Sequence, residues 1–224
     1  IEGFSTLELS IVTSAYFLGF LGGSIMAPGI INRVGHVRVF AALASFISAT
    51  LILYPVLPFF WAWVFLRILI GFCFSGVYVT AESWLNNSAT NQTRGKILSL
   101  YLIVQMAGLI TGQALLNIGE PEGYLLFIIP SVLVSISFAP ILLSVSKGPT
   151  FEETKKMSFK RLYQASPLGF IGCFIVGAVL SGQFGMAAIY GTQIGLSIKE
   201  ISFFMSSIFV GGLCLQYPIG LISD

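Results

Sequence analysis

Arg67 is the one cation inside a long apolar run of this sequence. An ionised group in hydrocarbon costs at least about 2.5–3.5 kcal/mol on insertion scales, so Arg67 must face protein or a water-filled cavity. Helical spacing places Gly71, Ser75, Tyr78 and Glu82 within roughly 80° of it. The stripe joins one cation, small residues that allow close approach, a phenol and an acid. A guanidinium there can hold an anion or couple to a proton; it can equally hydrogen-bond the carbonyls of a neighbouring helix. Glu82 falls where its run ends. The helix dipole disfavours an acid there, so a cationic partner among Arg33, Arg38 and Arg94 is expected, as a gate-like ion pair. The other reading is a solvated interfacial acid. Gln105, Gln113, Gln183 and Tyr190 are costly in lipid unless turned inward, which makes them further pocket candidates. Gln183 and Tyr190 stand two turns apart on one face.

Catalytic constellations are missing. His36 is the single histidine, with no paired carboxylates, metal-binding helix or nucleophile elbow around it. No phosphate-cradling loop points to a nucleotide. Cys73, Cys173 and Cys214 fall inside apolar runs without metal spacing and read as packing residues. No enzyme activity, cofactor or metal is expected.

The elements that position these residues follow from composition. The chain is 56% hydrophobic and 9% charged, with a mean hydropathy of +0.92. A soluble globular chain carries charge on about a quarter of its residues. The net charge of +2 is too small to suggest a nucleic-acid partner. Crossing roughly 30 Å of hydrocarbon takes about 20 helical residues, and seven such spans fit near 9–30, 38–56, 59–82, 97–117, 124–146, 167–192 and 201–220. The alternating segments of a membrane β-barrel are absent, so the expected class is all-α and polytopic. The run 162–198 has no proline or charge in its middle to reverse it and counts as one span.

Arg33, Arg38, Arg94, Lys96, Lys147, Lys155, Lys156, Lys160 and Arg161 then share one side of the membrane. The opposite side carries Glu2, Glu8, Glu120, Glu122, Glu200 and Lys199. The positive-inside rule makes the first side cytoplasmic. Residues 147–166 form the only long connection, a polar cytoplasmic loop that reads as a linker between a unit at 1–146 and another at 167–224. Its basic residues anchor topology and can also rest on anionic lipid.

Sliding the chain by 192 positions superposes Gly3, Ser5 and Glu8 on Gly195, Ser197 and Glu200. The same shift carries Ile30 onto Ile222 and Asn32 onto Asp224. That pattern suggests a parallel internal repeat, one of the recognised transporter architectures. The basic turn over residues 28–38 would be one copy of a paired reversal, and Gly220 to Asp224 would open the other. Gly108 with Gly112, and Gly177 with Ser181 and Gly185, have the spacing at which small residues let helices pack closely.

With these features in place the chain resembles the major facilitator superfamily. That family's turn has the form Gly-x-Leu-x-Asp-Arg-x-Gly-Arg-Arg. Arg33 and Gly35 match it, Ile30 replaces Leu, Asn32 replaces Asp, and Arg38 stands one residue past the closing basic pair. Arg67 and Gly71 match an Arg-then-Gly pattern, and Gly220 and Asp224 match the second turn. Gly108 and Gly112 are followed by Gln113 where drug antiporters carry Pro. The segments at Ala81–Asn86, Arg94–Tyr101 and Ser166–Gly169 are similar to the bacterial YcaD-like branch.

The resemblance implies helices two to eight of twelve, and a monomeric multi-pass protein of the bacterial cytoplasmic membrane. It also implies a secondary transporter that moves a small solute by alternating access, with ion or proton coupling. Arg33, Arg38 and Asp224 would then belong to cytoplasmic gates and Arg67 to the cavity. The competing expectation is a membrane receptor or assembly protein that keeps this fold without transporting.

Overall fold

The computed structural model describes residues 3–90, 92–119, 123–143 and 158–223, with side-chain surroundings through Leu215. Glu2, Glu120, Glu122, Asp224 and residues 147–157 of the expected linker lie outside the described residues. So do the surroundings of Gly220.

Among the described residues the chain is helical throughout: α1 (Thr6–Val34), α2 (His36–Val56), α3 (Phe60–Ser88), α4 (Arg94–Leu115), α5 (Leu125–Ser137), α6 (Ala139–Leu143), α7 (Phe159–Ala165), α8 (Pro167–Gln193) and α9 (Ile198–Ser223). Seven stretches are long and apolar enough to cross a membrane, α5 and α6 together making one. This agrees with the seven expected spans, including a single one within 162–198.

Two boundaries differ from expectation. Helix α1 runs through Pro28 to Val34, and α3 extends to Ser88, about two turns past the expected end. The reversal between α1 and α2 therefore narrows to Gly35, at φ +86°. That is a left-handed conformation glycine adopts at little cost. The Gly35 N–H caps α1 by donating to the Ile31 carbonyl at 2.8 Å. Gly35 meets no atom within 4 Å of where a Cβ would stand, so the turn uses its backbone freedom rather than its small size.

Helices α1 and α9 begin alike. The Glu8 carboxylate accepts from the Ser5 N–H at 2.8 Å, while the Glu8 N–H donates to Ser5 Oγ at 3.3 Å. The same reciprocal pair joins Ser197 and Glu200, at 2.8 and 3.3 Å. Each capping box satisfies two helix-end donors that would otherwise be orphaned. Gly3 and Gly195, both at positive φ, lead into them. The 192-residue repeat thus has a local physical counterpart.

Packing centres on α1 and α3. A methyl group at Gly19 would overlap the Ile68 carbonyl, one at Gly23 the Phe72 carbonyl, and one at Gly71 the Tyr16 carbonyl. Glycines on both helices therefore let the two backbones touch. Between membrane helices such van der Waals packing replaces the hydrophobic drive, because lipid tails are as apolar as leucine. Helix α2 covers the other side of α3, with Val39, Leu43, Ile47 and Tyr54 buried in one core with Leu66, Ile70 and Cys73. Helix α5 is tied to α2 by serines. Ser48 Oγ lies 2.8 Å from both Ser131 Oγ and Ser135 Oγ, and Ser131 Oγ donates to the Ser48 carbonyl at 3.0 Å.

The expected small-residue contacts on α4 and most of those on α8 do not form. Gly108, Gly112 and Gly177 have open space where a side chain would go. Of the expected positions only Gly185 makes a close approach, with Thr13 of α1 3.1 Å from its Cβ position; Gly191, outside that pattern, meets Ile201 of α9 at 2.9 Å. Four-residue spacing permits backbone contact, but a facing helix with complementary gaps is also required. Gly71→Ala in the full-length protein should lower stability by about 1–3 kcal/mol, the cost of overpacking. Gly108→Ala should be neutral or slightly stabilising through helix propensity. Thermal unfolding in detergent compares the two.

Candidate functional site

Arg67 sits two turns into α3, half-buried, where α1, α2 and α3 converge. Its guanidinium lies over the Tyr54 ring of α2, with the central carbon 5.8 Å from the ring centroid. Tyr54 is held there by neighbours. Its ring meets Trp63 edge-on at 5.4 Å and stacks near Phe127 of α5 at 6.2 Å. Trp63 Nε1 also donates to the Tyr54 carbonyl at 3.2 Å. A cation over an aromatic face gains about 0.5–2 kcal/mol, more as water is removed. That offsets part of the cost of keeping Arg67 charged inside a span.

The offset is incomplete. Arg67 Nε is buried without a hydrogen-bond partner among the described residues, and so are the hydroxyls of Tyr54, Tyr101 and Ser75. Buried polar groups are usually satisfied, so a cluster of unsatisfied donors needs a physical explanation such as water, an ion or a ligand. Arg67 and Tyr54 form one pair of such donors. The Tyr54 ring lies against Arg67, and no carboxylate is joined to it among the described residues.

The rest of the predicted stripe divides. Gly71 and Ser75 are buried in the α1–α3 seam, Gly71 against Tyr16 and Ser75 beside Gly23, so neither faces open space. Small residues on a helix face near a cavity and small residues in a helix seam look the same in sequence. Tyr78 is half-buried, with its ring 6.2 Å from both Phe20 of α1 and Phe74 of α3. Tyr78 and Glu82 stand further along α3, and Tyr101 and Gln105 on α4, which touches it.

Glu82 itself is exposed and lies about two turns before the end of α3, not at its terminus. No ion pair joins it to Arg33, Arg38 or Arg94 in this conformation, and all three cations are exposed, as are Asn32 and Gly35. The polar contact that ties the α1–α2 turn to α3 comes from His36. It is only 2% exposed, with Nε2 3.1 Å from Ser83 Oγ and its ring 6.0 Å from Trp84. A single histidine between two basic residues gave no sequence signal for burial.

A second junction was not anticipated. Near the opposite membrane face α4 packs on α9, where Ser202 is 3% exposed. Ser202 Oγ donates to the Gln113 carbonyl at 2.5 Å and accepts from Asn117 Nδ2 at 3.1 Å. Gln113 thus contributes its backbone there. An open cleft of about 730 Å³ runs along this junction, with Asn117, Lys199, Ser202 and Ser206 on its walls. Gln183 is half-buried and Tyr190 exposed on α8, which packs on α1 and α9. The structure brings neither of them to Arg67.

Known proteins share this sequence pattern and this fold. The family model described as Major Facilitator Superfamily matches residues 2–224. Two curated relatives are the uncharacterized MFS-type transporters YcaD of Escherichia coli O45:K1 (strain S88 / ExPEC) and of Escherichia coli (strain K12 / DH10B). Each is 32% identical over 229 residues, covering 100% of this chain and 59% of the relative. The chain therefore spans about three-fifths of the length of these relatives. Among solved structures, a D-xylose-proton symporter superposes with a TM-score of 0.69 at 16% identity, covering 97% of this chain and 59% of that one.

In a double-mutant cycle on the full-length protein, Ser202→Ala and Asn117→Ala should couple by about 0.5–1.5 kcal/mol, the range of interhelical hydrogen bonds in membranes. Additive losses of thermal stability would mean the two side chains act independently.

Proposed function

We propose that this chain, which belongs to the Major Facilitator Superfamily, forms part of a secondary active transporter that moves a small solute by alternating access. The observation that supports this reading best is the Arg67–Tyr54 pair. A guanidinium held over an aromatic ring, with an unsatisfied Nε and no carboxylate beside it among the described residues, is a poor structural device but a good site for an anionic or hydrogen-bonding ligand. A receptor or assembly protein would gain nothing from keeping that charge uncompensated inside a span.

In this reading Arg67 and Tyr54 line the solute path, with Tyr78 and Gln105 one level closer to the cation-rich face. That face is cytoplasmic, because the exposed Arg33, Arg38, Arg94 and Lys96 share it. Residues 1–146 and 167–224 belong to two units joined by 147–166, and they rock about a site near the midplane. The α4–α9 contact closes the opposite face in this conformation, through Ser202 on one unit and Gln113 and Asn117 on the other. Opening it would close the cytoplasmic face. There Glu82 would pair with Arg33 or Arg94, while Asn32, Arg38, Gly220 and Asp224 complete the turns. A proton or other ion drives the cycle, and protonation of an acid such as Glu82 would release its gate. The protein acts as a monomer in the bacterial cytoplasmic membrane.

In cells or proteoliposomes, Arg67→Ala in the full-length protein should abolish solute uptake while leaving membrane expression near normal. Arg67→Lys should retain a small fraction, because a point charge cannot reproduce the planar guanidinium fork over Tyr54. Full uptake by the alanine variant would remove Arg67 from the mechanism.

A further inference from the structure

Helix α7 lies at the end of the connection between the two proposed units, and joining them does not by itself require its pattern. It is a seven-residue helix, Phe159–Ala165, capped at its start by Ser158 Oγ, which accepts from the Arg161 N–H at 3.4 Å. At about 100° per residue, Phe159, Leu162 and Tyr163 share one face, while Lys160, Arg161 and Gln164 take the other. A solvent-facing linker has no need for that division.

Its position is as informative as its pattern. Only Ser166 separates α7 from α8, a helix long and apolar enough to cross a membrane. Two aromatics of α7 pack on the first turn of α8. The Tyr163 ring meets Phe170 edge-on at 5.8 Å, and Phe159 meets it at 6.4 Å. These contacts hold α7 at the level where α8 enters the bilayer. Yet Phe159 remains 80% exposed, Leu162 43% and Tyr163 48%. Among the described residues α7 packs on α8, and its apolar face is left largely uncovered.

Charge identifies what covers it. Lys160 and Arg161 are exposed, and alternation of the spans puts them at the same membrane face as Arg33, Arg38, Arg94 and Lys96, all exposed as well. Apolar side chains at the depth of a membrane boundary, with cations above them, match a layer of anionic headgroups over acyl chains.

We propose that α7 is an interfacial anchor. Phe159, Leu162 and Tyr163 enter the headgroup–acyl boundary of the bilayer, and Lys160 and Arg161 bind the phosphates of anionic phospholipid. The anchor holds the end of the linker against the membrane where α8 begins. It does not depend on what the protein transports, only on its spanning the bilayer.

Spin labels read this directly in the full-length protein. Phe159→Cys, Leu162→Cys and Gln164→Cys are each labelled, and the protein is reconstituted in phosphatidylcholine bilayers with or without phosphatidylglycerol. Accessibility to oxygen, which partitions into lipid, is compared with accessibility to a water-soluble nickel chelate. With phosphatidylglycerol, the labels at 159 and 162 should favour oxygen and the label at 164 should favour the chelate. Adding Lys160→Gln and Arg161→Gln should shift 159 and 162 towards the chelate. Each cation near a charged surface is worth roughly a fivefold change in binding. An unchanged thermal transition in that double variant separates lost anchoring from lost folding. If 159 and 162 favour the chelate in every bilayer, α7 lies in water and the proposal fails. If they are shielded from both reagents, another protein segment covers the face and the proposal fails equally.

Discussion

Everything else in this structure depends on α1 and α3 touching backbone to backbone. Gly19, Gly23 and Gly71 leave room for carbonyls of the opposite helix, and no side chain could occupy those positions without pushing the pair apart. In a bilayer the gain comes from dispersion between well-fitted surfaces rather than from escape from water. The contact fixes the rotation of α3 about its own axis. With that rotation set, Leu66, Ile70 and Cys73 turn towards α2, and Arg67 is delivered to the border of the seam, over Tyr54. Moving α3 outward would carry Arg67 away from the ring that holds it.

The two junctions of the chain differ in kind. The α1–α3 seam is close-fitted and made of backbone and small apolar groups, with one discrete packing solution. The α4–α9 junction rests on a few polar contacts around Ser202 and borders an open cleft. Close-fitted seams transmit motion as rigid bodies, whereas a small polar junction can part and re-form at modest cost. The proposed rocking uses both, with the first junction in the rigid role and the second in the separable one.

The seven spans were legible in the sequence, because membrane crossing imposes length rules that few residues can violate. The repeated helix starts were legible too: the alignment of Ser5 and Glu8 with Ser197 and Glu200 marks two capping boxes, although only the Ser-x-x-Glu spacing identifies them as such. What sequence could not supply was partnership. Gly71 and Gly108 look equivalent in a helix pattern, but one faces Tyr16 and the other faces nothing. Ser75 read as cavity-lining for the same reason and is sealed in the seam. His36 appeared to be a third member of a basic turn, yet it is the residue that turns inward to Ser83. Arg67 could be recognised as a buried cation needing a partner; that the partner is a ring depends on Tyr54, thirteen positions away and on another helix.

In the proposed rocking, α1 and α3 move as one body while α4 and α9 separate. Pulsed electron paramagnetic resonance on the full-length protein in bilayers tests it, with one label pair at Leu18 and Phe65 and another at Ile118 and Phe203, all exposed positions. Spectra are compared across pH and across added candidate solutes. The first pair should give a single narrow distance under every condition, and the second two distances with shifting populations. A second pair that never changes, or a first pair that changes along with it, would rule out this division into rigid and separable parts.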